Sequence, residues 1–348
     1  MKVLIVSTHV PFISGGAEIL ENNLKKALIE QGHEAEITKI GFKWYPAERI
    51  PEHILATRLL DFTETAGDKI DLVIGLKFPA YYVKHQNKVL WILHQHRPAY
   101  DLWGTPFQDL PSNSVGTRIR EIIINSDNRF LPEAKKIFTL SKNVSNRLRN
   151  FNNLPSQHLY HPPDGAENLV QGKYDDYFFY PSRLGLLKRQ DLVIQAMRHT
   201  KTNVKLVLAG RPDSKYDLDK LENLIDEYKL QDKVSLLINI SNEKKVELYS
   251  NCLGAVFIPY DEDYGYVTLE AFYSKKPVIT TNDSGCPLEF VNDKKNGLVV
   301  PPDAKQIASA MDNLFLDKKN TQEMGERGFK LIKSLNLSWN NVVNSLTK

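Results

Sequence analysis

The sequence predicts an α/β chain built as two Rossmann-like domains facing one another across a cleft. Three observations carry that class. Short apolar, β-rich runs alternate with amphipathic helical patterns, the mark of parallel sheets in α/β layers. The alternation starts afresh halfway along the chain. Between the two cycles lies HPPDGAEN, a polar stretch stiffened by Pro162 and Pro163 and without hydrophobic periodicity, as a linker should be.

The first cycle opens on KVLIVS, a buried strand. AEILENNLKKALIEQG follows as an amphipathic helix with Ile19, Leu20, Leu24, Ala27 and Leu28 on its apolar positions and Gly32 ending it. HEAEITKI, DLVIGL, KVLWIL and KKIFTLS continue as strands. After the linker, DYFFYPS is a strand, DLVIQAM a helix, VKLVLAG a strand, DLDKLENLIDEY a helix, KVSLLI a strand and EKKVELYSN a helix. GAVFIP, a helix from about Val267, PVITTN, GLVVP and a helix around IASAMDNLF complete the cycle. The expected domains are residues 1–163 and 164–332, followed by a C-terminal helix over about 333–348. There is no short repeat and no low-complexity tract.

Bulk composition narrows the function. A chain of 348 residues suits two domains of ordinary size, and 42% hydrophobic with 25% charged residues is enough to bury real cores. A formal net charge of +3 is too small to imply nucleic acid as a partner. Cys252 and Cys286 form no CxxC pair, so neither a disulfide framework nor a zinc site is expected. VLIV is cut short by STHVP, too soon for a signal-peptide core, and no window reaches membrane-spanning length. The expectation is a soluble, cytoplasmic chain, for which the sequons at Asn143, Asn239 and Asn336 carry little weight.

Ligands of such sheets bind outside the carboxyl ends of strands, so four loops matter. In THVPFISGGAE, Gly15 and Gly16 precede a helix whose free N–H groups favour an anion, although a tight turn needing glycine explains them equally. The pattern is not GxGxxG, which disfavours a nicotinamide dinucleotide. In YPSRLGLLKRQDLV, Arg183 and Lys188 follow a strand and suit a diphosphate, while a solvated basic loop is the bland alternative. In WILHQHR, His94 and His96 flank a strand end and point to one side if the chain stays extended. A metal there would need a third ligand; a single histidine contacting a sugar or moving a proton is the more ordinary role. DEDYGYVTLEA places Asp261, Glu262 and Asp263 before a turn and Glu270 in the helix that follows. Carboxylates beside vicinal hydroxyls suit a ribose or hexose, whereas the helix dipole alone also accounts for Glu270. Asp261 to Asp263 matches a metal-binding D-x-D, but so does Asp217-Leu218-Asp219 within a helix.

This acidic segment resembles the E-x7-E motif of the retaining glycosyltransferases of family 4 (glycosyltransferase group 1), which have the GT-B fold. Glu262 and Glu270 occupy the two Glu positions, with Gly265 and Leu269-Glu270-Ala271 falling on F-G-x-x-x-L-E-A. GGAE resembles the acceptor-side glycine loop, Arg183 and Lys188 the R-L-x-x-x-K diphosphate clamp, SGCPLE the G-G-x-x-E segment and NGLVVPPD the N-G-x-L-V-x-P-x-D segment. Trp339 falls in a helix that, in the family, crosses back onto the first domain. Asp263 and Ser284 depart from the family pattern.

The resemblance implies that Glu270 holds the donor ribose, that Glu262 and His94 act at the donor hexose, and that Gly15, Gly16, Arg183, Lys188, Gly265, Tyr266, Val267 and Thr268 line the donor, with backbone N–H groups near Val267 and Thr268 facing the diphosphate. It implies no metal and no cofactor beyond the nucleotide sugar, because the cations and helix N-terminus neutralise the leaving diphosphate. Front-face attack and double displacement through a carboxylate both fit retention. The reading is hexosyl transfer from a UDP-sugar first, or a GDP-sugar second, to a saccharide or lipid-linked saccharide in cell-surface glycan synthesis such as lipopolysaccharide. A sugar-nucleotide epimerase of the same fold and a non-catalytic nucleotide-sugar-binding subunit are the alternatives. The stretches HQHRPAYDLWGTPFQ and TRIREIIINSDNRF have the basic and apolar mixture of a surface lying on an anionic membrane, and equally that of a loop with a half-buried helix.

Overall fold

The computed structural model describes residues 1–12 and 15–348. Ile13 and Ser14 of the glycine loop lie outside the described residues. The chain forms two compact units, residues Met1–Asp164 with Ser338–Lys348, and Gly165–Leu337.

The first unit contains β1 (Lys2–His9), α1 (Gly16–Glu30), β2 (Glu34–Gly41), α2 (Ile50–Leu59), a small antiparallel pair β3 (Glu64–Thr65) and β4 (Asp68–Lys69), β5 (Leu72–Gly75), β6 (Lys88–Ile92), α3 (Ser114–Phe130), β7 (Lys136–Thr139), α4 (Lys142–Asn152) and β8 (Gln157–His158). Its main sheet is parallel in the order β2-β1-β5-β6-β7-β8. β1 reads as a continuous apolar run because residues Val3 to Val6 are buried on both faces, with Ile5 opposite Ile37 and Ile74.

The second unit contains β9 (Tyr177–Pro181), α5 (Gln190–Met197), β10 (Lys205–Ala209), α6 (Lys215–Glu227), β11 (Val234–Leu237), α7 (Asn242–Asn251), β12 (Gly254–Val256), α8 (Tyr266–Tyr273), β13 (Val278–Thr281), α9 (Pro287–Phe290), β14 (Gly297–Val300), α10 (Ala304–Leu316) and α11 (Lys318–Ser334). Its sheet is also parallel, in the order β11-β10-β9-β12-β13-β14. Central β9 buries Phe178, Phe179 and Tyr180 completely. In each sheet the strand order reverses beside the first strand, between β1 and β5 in one and between β9 and β12 in the other. Those two reversals are where open α/β sheets place ligands.

Three expectations need correction. α1 buries Leu20, Leu24, Ala27 and Leu28, but Ile19 is 44% exposed and the carboxylate of Glu21 is buried instead. Ser7 donates to one of its oxygens and the Lys39 ammonium lies 3.0 Å from the other, so the buried acid has a hydrogen bond and a counter-charge. The supposed linker begins only after Asp164, because His161 is fully buried between Trp91 and Trp339 and belongs to the first core. The return to that core starts at Ser338, whose hydroxyl caps the final helix α12 (Trp339–Thr347); α11 stays in the second unit. No described helix is long and apolar enough to cross a membrane.

Candidate functional site

The strand-order reversal of the second unit gathers the basic and acidic loops. β9 ends at Pro181 and delivers Arg183 and Lys188; β12 is followed by Glu262. The Lys188 ammonium pairs with the Glu262 carboxylate, each side chain being 18% exposed. The backbone carbonyl of Lys188 accepts from the fully buried Tyr180 hydroxyl, which fixes the turn from the core side. Arg183 is more open: its guanidinium donates to Asp213 at 2.7 Å, with 53% of its side chain exposed. Asp213 sits after β10, whose loop lies against the β9 loop so closely that a Cβ on Gly210 would meet the Ser182 carbonyl oxygen at 1.8 Å.

Arg189, next to Lys188, organises the scaffold. With φ at 52° it turns its guanidinium onto the Ile258 and Pro259 carbonyls, the Thr281 hydroxyl and both oxygens of Asp283, at 2.8–2.9 Å. Burial opposes the charge on Asp283, yet the hydrogen bonds from Arg189 and Thr281 and the charge of Arg189 hold its carboxyl below the usual range.

The acidic loop is fixed by its backbone. Asp261 N–H donates to the Asp283 carbonyl at 2.9 Å and Glu262 N–H to the Ser284 carbonyl at 2.8 Å, while the Glu262 carbonyl accepts from Cys286 N–H. SGCPLE is therefore a strap along Glu262. Gly265 has φ at +79° and no room for a side chain, since a Cβ would lie 2.8 Å from the Phe257 ring. It opens α8, where Tyr266 packs edge-on to Tyr264 and Val267 and Thr268 are buried. Thr268 N–H bonds to the Gly265 carbonyl at 3.1 Å, so it is spent on the helix's first turn instead of being offered to an anion. Glu270, 7% exposed, accepts from Lys245 Nζ at 2.8 Å on one oxygen and from the Tyr249 hydroxyl at 2.7 Å on the other. The second D-x-D, Asp217 to Asp219, lies in α6, where Ser214 caps the Asp217 N–H.

In the first unit, Gly15 has extended backbone angles that any residue adopts, so the turn itself does not demand glycine there. Its N–H donates at 2.7 Å to Glu18, the chain's own carboxylate at the start of α1, and Lys77 approaches Glu18 at 3.5 Å. An anion at Gly15 and Gly16 has to contend with that carboxylate. β6 stops at Ile92, so His94 and His96 do not share one extended face. His94 is half-buried with Nδ1 2.6 Å from the Gln95 carbonyl. His96 is packed against Phe78 and Phe42, and burial, then the charge of His94, lowers its pKa to about 3. Between them Gln95 points into a buried network in which Asp127 accepts from the Tyr81, Tyr82 and Tyr100 hydroxyls at 3.0, 2.7 and 2.5 Å. Burial drives the Asp127 pKa up against those bonds. The aromatic and basic stretch around it is core only in its first part: Arg97, Ala99, Tyr100 and Leu102 are buried and Arg97 pairs with Asp101, while residues 103–108 are half-buried or exposed.

Residues 167–331 match the family model described as glycosyl transferases group 1. That match takes in almost the whole of the second unit, which belongs to that family. The chain is similar to the alpha-1,3/1,6-mannosyltransferase ALG2 of Dictyostelium discoideum, 38% identical over 133 residues, which are 37% of this chain and 31% of that protein. The matched segment thus spans about a third of that relative. Among solved structures, sucrose-phosphate synthase from Thermosynechococcus elongatus aligns over 98% of this chain and 96% of its own, with TM-score 0.78 and 17% identity. Anabaena Alr3699/HepE in complex with UDP-glucose aligns over 99% and 98%, with TM-score 0.70 and 16% identity. At that identity the likeness is one of fold, and the fold is GT-B.

The sequence pointed to Arg183, Lys188, Glu262 and Glu270. It showed Glu18 only as the end of GGAE, and gave no sign of Arg189, Asp213 or the role of Lys245 and Tyr249. Lys245 and Tyr249 are one helical turn apart in EKKVELYSN, so a shared face was readable, but not its partner.

Proposed function

We propose that this chain is a group 1 glycosyltransferase and moves a hexose from a nucleoside-diphosphate sugar to a saccharide or lipid-linked saccharide, with retention and without a metal. The observation that carries the reading is the Lys188–Glu262 pair at the strand-order reversal: a fixed cation for a diphosphate beside a fixed carboxylate for sugar hydroxyls. In the proposal Lys188 and Arg183 receive negative charge as the sugar leaves, and Gly265, Tyr266 and Val267 bring the start of α8 to the same phosphates. Glu262 orients the hexose, Glu270 holds the ribose, and His94, whose Nδ1–H is given to the Gln95 carbonyl, accepts from a sugar hydroxyl on Nε2. Gly15 and Gly16, of the loop resembling the acceptor-side glycine loop, line the donor, with Glu18 beside them.

The mannosyl group in the name of the Dictyostelium relative and the UDP-glucose bound to the Anabaena protein support a hexose on a nucleoside diphosphate. UDP is the first candidate and GDP the second. The compartment proposed is the cytoplasm, with peripheral contact to its membrane when the acceptor is lipid-linked. The test is turnover of UDP- and GDP-hexoses with and without glycan and lipid-linked acceptors, with product anomers read by NMR. Transfer with the donor's anomeric configuration is the expected result. Donor epimerisation without an acceptor, or donor binding with no turnover, would replace this reading by an epimerase or a binding subunit.

A further inference from the structure

Glu270 is proposed to hold a ribose, yet both of its oxygens already have protein partners. An ionised carboxylate offers about four lone-pair sites, two on each oxygen. Lys245 uses one on Oε1 and Tyr249 one on Oε2, at 2.8 and 2.7 Å. One acceptor site remains on each oxygen. Two adjacent acceptors, one per oxygen of a fixed plane, are what the two hydroxyls of a cis-diol require.

The two donors come from one rigid element. Lys245 and Tyr249 are four residues apart on α7, whose first turn is capped by Ser241 through the Lys244 N–H. Tyr249 is fully buried, edge-on to Phe179 of central β9, so its hydroxyl cannot wander. Lys245 keeps 29% of its side chain exposed while Glu270 keeps 9%, so the pair is reached from the lysine side. The buried donor sets the carboxylate plane and the exposed one holds its second oxygen.

We propose that Lys245 and Tyr249 are positioning residues that fix Glu270 as a receptor for the 2′,3′-diol of a ribonucleotide. The proposal rests on the ribose reading of Glu270. Burial, then the nearby Glu270 charge, pushes the Tyr249 hydroxyl well above its usual pKa, so it stays a donor throughout the working pH range. Without either donor the carboxylate still has lone pairs, but it must lose rotational freedom when the diol arrives.

The experiment is calorimetric titration of the full chain with UDP and with 2′,3′-dideoxy-UDP, and with the corresponding GDP pair. Wild type is compared with Glu270→Gln, Tyr249→Phe and Lys245→Met, each checked for an unchanged fold by circular dichroism. Tyr249→Phe and Lys245→Met are expected to weaken the ribonucleotide by about five- to tenfold, less than the loss of a whole hydrogen bond to a charged group because the Glu270 contacts to the diol remain. Affinity for the dideoxy analogue should stay within about twofold of wild type, since it has no diol to misplace. If Glu270→Gln is selective for the diol but Tyr249→Phe and Lys245→Met are silent, or weaken both nucleotides alike, the positioning role is wrong and the ribose reading stands. If Glu270→Gln does not discriminate between the two nucleotides, or wild type binds none of them, the ribose reading fails and takes this proposal with it.

Discussion

The ammonium of Lys188 and the carboxylate of Glu262, 74 residues apart in sequence, meet as an ion pair at the reversal of strand order in the second unit. Each is held by its own backbone anchor, Tyr180 on the Lys188 carbonyl and Ser284 on the Glu262 N–H. A diphosphate arriving at Lys188 therefore competes with Glu262 for the same charge.

That competition gives Glu262→Gln effects of opposite sign. Neutralising the carboxylate frees Lys188, so affinity for a nucleoside diphosphate without its sugar should stay constant or rise by a few fold. Turnover of the full donor should fall by about a hundredfold, because the contact to the hexose is lost where it matters most. Calorimetry with UDP or GDP beside steady-state kinetics reads both. A parallel loss of nucleotide affinity and turnover would mean that Glu262 shapes the diphosphate site and does not face the sugar.

Arg183 and Arg189 are six residues apart and should behave in opposite ways. Arg183 makes an exposed pair with Asp213, worth at most about 1 kcal/mol of stability. Arg183→Ala should leave the unfolding midpoint nearly unchanged while lowering kcat more than it raises KM. Arg189 ties together three segments, and its removal leaves Asp283 without its partner, a loss of about 3–5 kcal/mol. Urea unfolding of Arg189→Met decides this; a cost below about 1 kcal/mol would remove Arg189 as an organiser of the site.

The fold was legible because parallel strands covered on both faces write themselves as unbroken apolar runs. KVLIVS, DYFFYPS and PVITTN all fall on buried strands. α2 and α4 escaped notice: α2 begins at Ile50-Pro51 with weak amphipathic contrast, and α4 is short and rich in polar residues. At the site, charged residues at strand ends were visible as candidates, while their partners were not. Nothing local in the sequence says that Arg189 adopts a left-handed conformation, or that Lys245 and Tyr249 reach Glu270. His94 and His96 were separated only by where β6 stops.

Chelation tests how the acidic cluster is used. If Glu262 orients a hexose and the diphosphate is neutralised by Lys188 and Arg183, turnover should survive exhaustive EDTA treatment. Activity lost to EDTA and restored by manganese or magnesium would give Asp261 and Asp263 a metal to hold.

Two buried histidines set the acid limit of the first unit. His96 and His161 have pKa values lowered from 6.5 to about 3, mainly by burial, the first with a further contribution from His94. Above about pH 6.5 both are neutral in the folded and unfolded chain and cost nothing. As pH falls through 6.5 the unfolded chain takes up protons that the folded one refuses. Each histidine then removes up to about 1.4 kcal/mol per pH unit, until the folded value near 3 is reached. The chain has 4 tryptophans, Trp44, Trp91, Trp103 and Trp339, all in the first unit, so their fluorescence follows that unit alone during urea unfolding. Stability measured from about pH 7 to pH 4.5 should decline steeply in wild type. It should decline less in His96→Phe, whose ring can pack on Phe78 and Phe42 without a proton to gain. The same variant should keep most of its turnover, whereas His94→Ala should lose most of kcat with little change in nucleotide affinity. A wild-type profile flat over that range would mean the two imidazoles are hydrated and protonate in place. Equal kinetic losses at the two positions, or a larger loss at His96, would assign the sugar contact to the wrong histidine.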